Sequence, residues 1–181
     1  MTGSNWSTLT SATATAFTCL VFASAAWHKL SDFSTFTGFV ADYQVTPEAA
    51  VAGVSRAVVA AEVAVPLTLL AFPTRHAGAL LAMAMLLGYA AAIALNILRD
   101  RRHINCGCGG AEQLLDWSLV LRNIALAGIA GLVLLSNWSA VSFVEAATAA
   151  AAGLTLWWAF LVVEQLLVNA SLIRVIRMER V

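Results

Sequence analysis

Residues 77–98 read AGALLAMAMLLGYAAAIALNIL, a stretch that contains no acidic, basic or histidine side chain. A helix needs about 20 mostly apolar residues to cross the hydrocarbon core of a bilayer. Four further stretches have a similar length and character, at about residues 11–27, 49–72, 117–138 and 146–168. Hydrocarbon offers the backbone no hydrogen-bond partner, so each stretch must satisfy its amides within itself, as a helix does. The sequence therefore predicts five transmembrane helices.

The composition agrees with an integral membrane protein. Hydrophobic residues make up 61% of the 181 positions and charged residues 11%, whereas soluble domains usually carry about 25% charged residues. The mean hydropathy is +0.84. Membrane barrel strands would alternate apolar and polar residues over about ten positions, which these stretches do not. We predict an all-α fold, a polytopic transmembrane helix bundle that forms one domain over residues 1–181. The net charge of zero gives no indication of nucleic-acid binding.

A short amphipathic segment follows the first predicted span. Phe33, Phe36, Val40 and Tyr43 recur at three- and four-residue spacing within residues 31–43, which places them on one face of a helix. Lipid or the bundle can bury such a face at the membrane surface. Pro47 ends the segment, because proline disfavours helix at the residue before it. We therefore predict a short interfacial helix between the first and second spans.

Two cysteines in the loop after the third span carry the reactive chemistry. Cys106 and Cys108 flank Gly107, and residues two apart can reach the α-carbon separation of about 4.4–6.8 Å that a disulfide needs. Glycine opens backbone angles that other residues avoid. The small ring is strained, which favours an exchange-competent disulfide over a structural one. Neighbouring positive charge should also lower a thiol pKa, and it comes from Arg99, Arg101, Arg102 and His103. We predict a thiol–disulfide redox site.

Two other interpretations of the cysteines stay open. His103, Cys106 and Cys108 form His-x2-Cys-x-Cys, and soft thiolates bind copper(I), zinc or mercury. A structural zinc site would need a fourth ligand, for which His28 is the candidate. Alternatively, both thiols are reduced and without function in a glycine-rich turn. The third cysteine, Cys19, lies within the first span, where a lone thiol usually packs as a small hydrophobe.

Charged side chains inside the spans are candidate supporting residues. Glu62 lies in the second span, and a carboxylate there normally faces the bundle interior, is protonated or is paired. Lys29, at the end of the first span, either anchors the helix at the interface or belongs to the site. Arg122, followed by Asn123, lies about one turn into the fourth span and needs either a counterion or contact with the cysteine loop. Glu62 and Asp116 are the candidate counterions.

The distribution of basic residues predicts the orientation. With five spans, nine of the ten lie on the side of the cysteine loop, and Arg75 alone lies on the other. Without Lys29, Arg56 and Arg122, which could be site residues, the ratio is still six to one. Because Lys and Arg accumulate on the cytoplasmic side, we predict a multi-pass protein of the plasma or inner membrane. Its amino terminus is outside, and the cysteine loop and carboxyl terminus are cytoplasmic. The nine are Lys29, Arg56, Arg99, Arg101, Arg102, Arg122, Arg174, Arg177 and Arg180.

Taken together, these residues resemble the MauE branch of the MauE/DoxX-like redox-associated membrane proteins. The resemblance covers about residues 15–135, and the Cys-Gly-Cys block followed by Arg-Asn is its most specific part. It implies a four-helix redox-associated core, to which the helix at about 144–181 is an addition, and a thioredoxin-like partner. Gly109-Gly110 departs from the family, which often has an aromatic residue after Cys-Gly-Cys. The matching residues are Trp27-His28-Lys29-Leu30, Asp32-Phe33, Phe36, Tyr43, Pro47, Glu62, Asn96, Arg99, Ile104-Asn105-Cys106-Gly107-Cys108-Gly109-Gly110 and Arg122-Asn123.

The sequence thus favours an integral membrane thiol–disulfide redox protein. One of Cys106 and Cys108 attacks or is attacked by a thioredoxin-like or other dithiol partner, and the second resolves the mixed disulfide. No cofactor is predicted; a membrane quinone could accept the electrons, although no quinone motif is present. The alternatives are a soft-metal binding or transport module that uses the same thiols, and a non-catalytic membrane assembly factor. The supporting residues are Lys29, Glu62, Arg99, His103, Gly107, Arg122 and Asn123.

Overall fold

The computed structural model describes residues 3–107, 113–135 and 142–178, with side-chain surroundings for 6–107, 113–135 and 142–169. The helices in this part of the chain are α1 (Gly3–Ser31), α2 (Phe33–Asp42), α3 (Val51–Leu70), α4 (Arg75–Leu98), α5 (Trp117–Gly131) and α6 (Phe143–Met178). Short 3-10 turns at Glu48–Ala50, Phe72–Thr74 and Leu132–Leu135 extend α3, α4 and α5. No strand occurs among the described residues, where one antiparallel bridge joins Asn105 to Leu114.

The predicted all-α helix bundle is confirmed. Among the described residues, five helical segments are long and apolar enough to cross a membrane, and they coincide with the five predicted spans. The ends differ, since α1 begins at Gly3 and α6 continues to Met178. Polar side chains do not stop these helices, because hydroxyls such as that of Thr10 donate to the carbonyl one turn earlier, here that of Trp6 at 2.8 Å. The five segments are Trp6–Ser31, Glu48–Leu70, Phe72–Leu98, Trp117–Leu135 and Phe143–Asn169.

The core lies between α1, α3, α4 and α5. Helix α4 packs against α3 and α5, and α1 packs against α3 and α6. Large apolar side chains are completely buried between these helices. Because lipid is as apolar as these side chains, van der Waals packing is what holds the helices together. Helix α6 lies outside this group and leaves much of its apolar surface exposed, as lipid-facing helices do. The central cluster includes Phe17, Phe22, Val65, Leu69, Leu86, Leu126 and Val133.

Two glycines allow close contacts between helices. A Cβ atom at Gly78 of α4 would lie 2.6 Å from Thr68 Oγ1 and 2.9 Å from the Leu69 backbone nitrogen on α3. A Cβ atom at Gly153 of α6 would lie 2.6 Å from the Ala16 Cβ on α1. Small residues at such positions let helix backbones approach each other, which strengthens association in lipid. Gly153 therefore fixes how closely α6 approaches the bundle.

The predicted amphipathic segment forms α2, and its start is capped. Asp32 Oδ1 accepts hydrogen bonds from the Thr35 backbone N–H at 3.1 Å and from the Ser34 hydroxyl at 3.0 Å. These bonds lower the pKa of Asp32, since they favour its ionised form. On the opposite face Phe36 is buried, and α2 contacts both α1 and α3. The apolar face of α2 is thus directed at the bundle and reaches the end of α1 that carries Lys29.

Candidate functional site

The loop between α4 and α5 folds back over α2. The Cys106 backbone N–H donates to the Gln113 carbonyl at 2.9 Å, and the Tyr43 hydroxyl donates to the Cys106 carbonyl, also at 2.9 Å. Burial raises the pKa of Tyr43 to about 12, with the positive charge of Arg122 acting in the opposite direction, so the phenol remains a donor at neutral pH. Cys106 is only 9% exposed and packs with Ile104, Leu115 and Leu119. Local hydrogen bonds and an apolar cluster therefore hold Cys106 in one position.

Gly107 is required by both its backbone and its surroundings. Its φ is +64°, a conformation that residues with a Cβ atom rarely adopt. A Cβ at this position would also lie 3.0 Å from the Phe39 Cβ on α2. The residue after Cys106 therefore has to be small for the chain to turn directly above α2.

The cysteines differ in state. Cys106 is disulfide-bonded, whereas Cys19 is a free thiol inside α1, with its Sγ 4.0 Å from the Pro66 carbonyl. Cys108 lies outside the described residues, as do Gly109 and Gly110, so the predicted pairing of Cys106 with Cys108 stays a prediction. The expectation that Cys19 packs within the helix bundle agrees with its position.

A buried ion pair joins α1 to α3 beneath the loop. Lys29 Nζ lies 2.7 Å from Glu62 Oε1, and the two side chains are 4% and 1% exposed. The Tyr89 hydroxyl of α4 donates to the same carboxylate oxygen at 2.8 Å. The ammonium also lies 5.3 Å from the centre of the Phe36 ring and 5.8 Å from that of Tyr89, within the range of cation–π attraction. Lys29 is thus a partner of Glu62 rather than an interfacial anchor.

A second ion pair joins α5 to α6. Arg122 Nη1 lies 2.6 Å from Glu164 Oε2, with the side chains 14% and 20% exposed. The predicted counterions, Glu62 and Asp116, are both wrong. Glu62 forms its ion pair with Lys29, and Asp116 caps α5 by accepting a hydrogen bond from the Ser118 backbone N–H at 2.9 Å. The arginine therefore connects the fifth span to the bundle.

One cavity reaches both ion pairs and the cysteine loop. It has a volume of about 690 Å³, within the range of about 300–1,000 Å³ that is usual for small-molecule sites. Its polar lining comes from all six of the described helices and the loop, and includes Lys29, Thr35, Glu62, Tyr89, Cys106, Arg122, Asn123 and Glu164. Its apolar lining includes Phe22, Phe36, Phe39, Leu86, Leu126 and Phe160.

Comparisons with known proteins place the chain in a family. The family model described as "Methylamine utilisation protein MauE" matches residues 7–136. The chain belongs to the MauE family. It is 38% identical over 143 residues to methylamine utilization protein MauE of Paracoccus denitrificans, covering 77% of each chain. The MauE of Methylorubrum extorquens is 35% identical over 147 residues, with 78% of each chain covered. That of Paracoccus versutus is 35% identical over 117 residues, covering 63% of this chain and 62% of its own. No solved structure matches the chain.

The MauE-family segment, residues 7–136, contains all nine predicted site residues, and the structure brings six of them together. Arg99 and His103 are exposed and do not line the cavity. The Asn123 amide, 2% exposed, donates to the Leu119 carbonyl at 2.8 Å. The six that line the cavity are Lys29, Glu62, Cys106, Gly107, Arg122 and Asn123.

Two functional candidates were missed by the sequence analysis. Tyr89 is one hydroxyl within an apolar span, and only the packing of α4 against α3 shows that it reaches Glu62. Glu164 lies beyond the residues that the MauE model matches. Its position within an apolar helix is the same signal that identified Glu62, because a buried carboxylate needs a partner.

The metal interpretation gains no support from the described residues. They contain no group of three or more His, Cys, Asp or Glu side chains placed to hold a metal ion. Cys108 is not among them, so the His103–Cys106–Cys108 alternative stays untested.

Proposed function

We propose that this MauE-family protein is an integral membrane thiol–disulfide redox protein. In this proposal the Cys106 disulfide closes on Cys108 and exchanges electrons with a thioredoxin-like or other dithiol protein. The observation that carries the proposal is that Cys106, already disulfide-bonded, lines a polar cavity together with Lys29, Glu62 and Arg122. Buried charges would not stabilise a purely structural disulfide beside them, and such charges carry a large desolvation cost in a membrane.

The exchange begins with a thiolate of the partner. Because Cys106 is 9% exposed, we propose that the partner attacks the Cys108 sulfur and that Cys106 leaves as a thiolate. The second partner thiolate then attacks the mixed disulfide and releases Cys108. The partner becomes a disulfide, the Cys106–Cys108 pair becomes a dithiol, and two electrons and two protons have moved.

Alkylation followed by intact-mass measurement tests this proposal. Purified protein, denatured without reductant, should take up alkyl groups at Cys19 alone, and at two further thiols after reduction. Cys19→Ser is the control, since it should remove the first group and leave the reducible pair. In Cys106→Ser, the lone Cys108 thiolate should attack the disulfide form of the partner and trap a mixed disulfide, because Cys106 is no longer present to resolve it. Full alkylation of all three cysteines without reductant, under oxidising purification, would contradict the proposal. Stoichiometric zinc or copper that Cys106→Ser removes would support the metal alternative instead.

We further propose that the cysteine loop faces the cytoplasm. Lys29 and Arg122 are held in ion pairs and should not count toward orientation. Arg56, Arg99 and Arg102 are exposed on the loop side, and the arginines of the carboxyl-terminal tail add to the same side. A reporter cysteine, Arg102→Cys in a chain otherwise free of cysteine, should react with an impermeant maleimide only after the cells are opened. Labelling in intact spheroplasts would overturn this orientation.

A further inference from the structure

The cavity next to Cys106 combines an apolar enclosure with a small number of polar groups. Helices α1, α3, α4, α5 and α6 all contribute to its wall, and each has a segment that is long and apolar enough to span a membrane. Ligand sites are typically apolar cavities in which few polar atoms fix the orientation of the ligand. A lipophilic molecule could enter between these helices from the membrane.

Two polar atoms at the cavity lack a hydrogen-bond partner among the described residues. They are Glu62 Oε2 and Arg122 Nε, both buried, and both side chains line the cavity. Glu62 is 1% exposed. A buried polar atom without a partner carries a desolvation cost, which a bound ligand can relieve. The ligand that fits accepts a hydrogen bond from the Arg122 N–H and donates one to the Glu62 carboxylate.

The charges in the cavity favour a neutral ligand. Lys29 is neutralised by Glu62, and Arg122 by Glu164. Asp32 also lines the cavity and adds a negative charge, because its hydrogen bonds lower its pKa. The site therefore offers no excess positive charge to an anion, and its aromatic side chains suit a flat ring.

From these observations we propose that the cavity binds a membrane quinone, which accepts electrons from the reduced cysteine pair. A quinone ring carries two carbonyl oxygens that accept hydrogen bonds, and its reduced form carries hydroxyls that donate them. Cys106 and Gly107 line the same cavity, which places a quinone bound there beside the cysteine loop. This inference rests on the proposed redox function.

The transfer balances as a two-electron exchange. Two S–H bonds of the Cys106–Cys108 dithiol break and one S–S bond forms. The quinone takes up the two electrons and two protons, so that its carbonyl oxygens become the hydroxyls of the quinol. Arg122 Nε donates to one oxygen of the quinone, and Glu62 Oε2 accepts from a hydroxyl of the quinol. The product is the disulfide that the dithiol partner then reduces.

Calorimetric titration of the purified, nanodisc-embedded protein with a short-chain benzoquinone tests the site. Wild type should show saturable binding of one quinone per chain. Arg122→Lys keeps the positive charge for Glu164 but removes the Nε–H, and should weaken binding about tenfold or more. Arg56→Lys, the same change at an exposed position of α3, should leave the affinity unchanged.

A second pair of variants tests the cavity without touching a charge. Leu161→Trp places a large side chain in the lining of the cavity and should abolish quinone binding. Leu166→Trp makes the same change on α6 where the side chain is 62% exposed, and should have no effect. Absence of saturable binding to folded wild type, or equal losses in both variants of either pair, would overturn the inference.

A variant without the two loop cysteines separates this inference from the proposed function. The Cys106→Ser/Cys108→Ser variant should bind the quinone within about twofold of wild type. After treatment with dithiothreitol and removal of that reductant, it should fail to reduce the quinone. Reduced wild type should convert quinone to quinol, measured by the loss of quinone absorbance. Binding without reduction by the wild type would overturn the redox role of the cysteines. Loss of binding in the Cys106→Ser/Cys108→Ser variant would overturn the hydrogen-bonded site.

Discussion

The buried pair of Lys29 and Glu62 gives the sharpest prediction of stability. The two side chains are 4% and 1% exposed and 2.7 Å apart. Removal of one partner leaves the other charge without compensation, which costs about 3–5 kcal/mol for buried pairs. We expect Glu62→Gln and Lys29→Met each to lower the free energy of unfolding by this amount, equivalent to at least a hundredfold change in the folding equilibrium.

The double variant Lys29→Met/Glu62→Gln should recover much of this loss, because neither residue then buries an unpaired charge. The assay is unfolding of the purified protein in detergent, followed by circular dichroism. Glu48→Gln, the same change at an exposed position, is the control and should shift stability by less than about 0.5 kcal/mol. Additive losses in the double variant, or a loss below about 1 kcal/mol for Glu62→Gln, would refute the reasoning.

Matched glycine-to-alanine substitutions should separate strain from close packing. Gly107→Ala should lower the free energy of unfolding by about 1–3 kcal/mol, because φ is +64° and the new Cβ would contact Phe39. The disulfide should also become easier to reduce, which alkylation at increasing reductant concentration would measure. Gly153→Ala should lower the free energy of unfolding by about 1–3 kcal/mol, because the new Cβ overpacks against Ala16. It should also increase protease cleavage before α6. Gly128→Ala, where nothing lies within 4 Å, should leave thermal unfolding unchanged or raise its midpoint, and a loss there comparable to that at Gly153 would contradict the packing argument.

The predicted elements that were confirmed depend on local properties of the chain. The 77–98 stretch forms most of α4 because apolar length alone requires a helix in lipid. The spacing of Phe33 and Phe36 likewise predicted α2, and the structure directs Phe36 into the bundle. Gly107, singled out between two cysteines, has the positive φ that a turn at that point requires. In each case the information lies within about ten neighbouring residues.

Partners of charged side chains depended on information that the sequence does not carry. For Glu62 the sequence leaves an inward orientation, protonation and pairing as alternatives, and in the structure its partners Lys29 and Tyr89 come from two other helices. Arg122 was assigned to Glu62 or Asp116 and instead meets Glu164, 42 positions away. The choice depends on which helices are neighbours and how each is rotated about its axis.

The sequence by itself determined the helices, their membrane-spanning length and the cysteine loop, because hydrophobic length and glycine conformation act over a few residues. The tertiary structure alone decided that Cys106, two ion pairs and an apolar wall share one cavity. Five helices must pack side by side before the two ion pairs and the Tyr89 hydroxyl can meet, and the contacts that fix this packing join residues far apart in the chain.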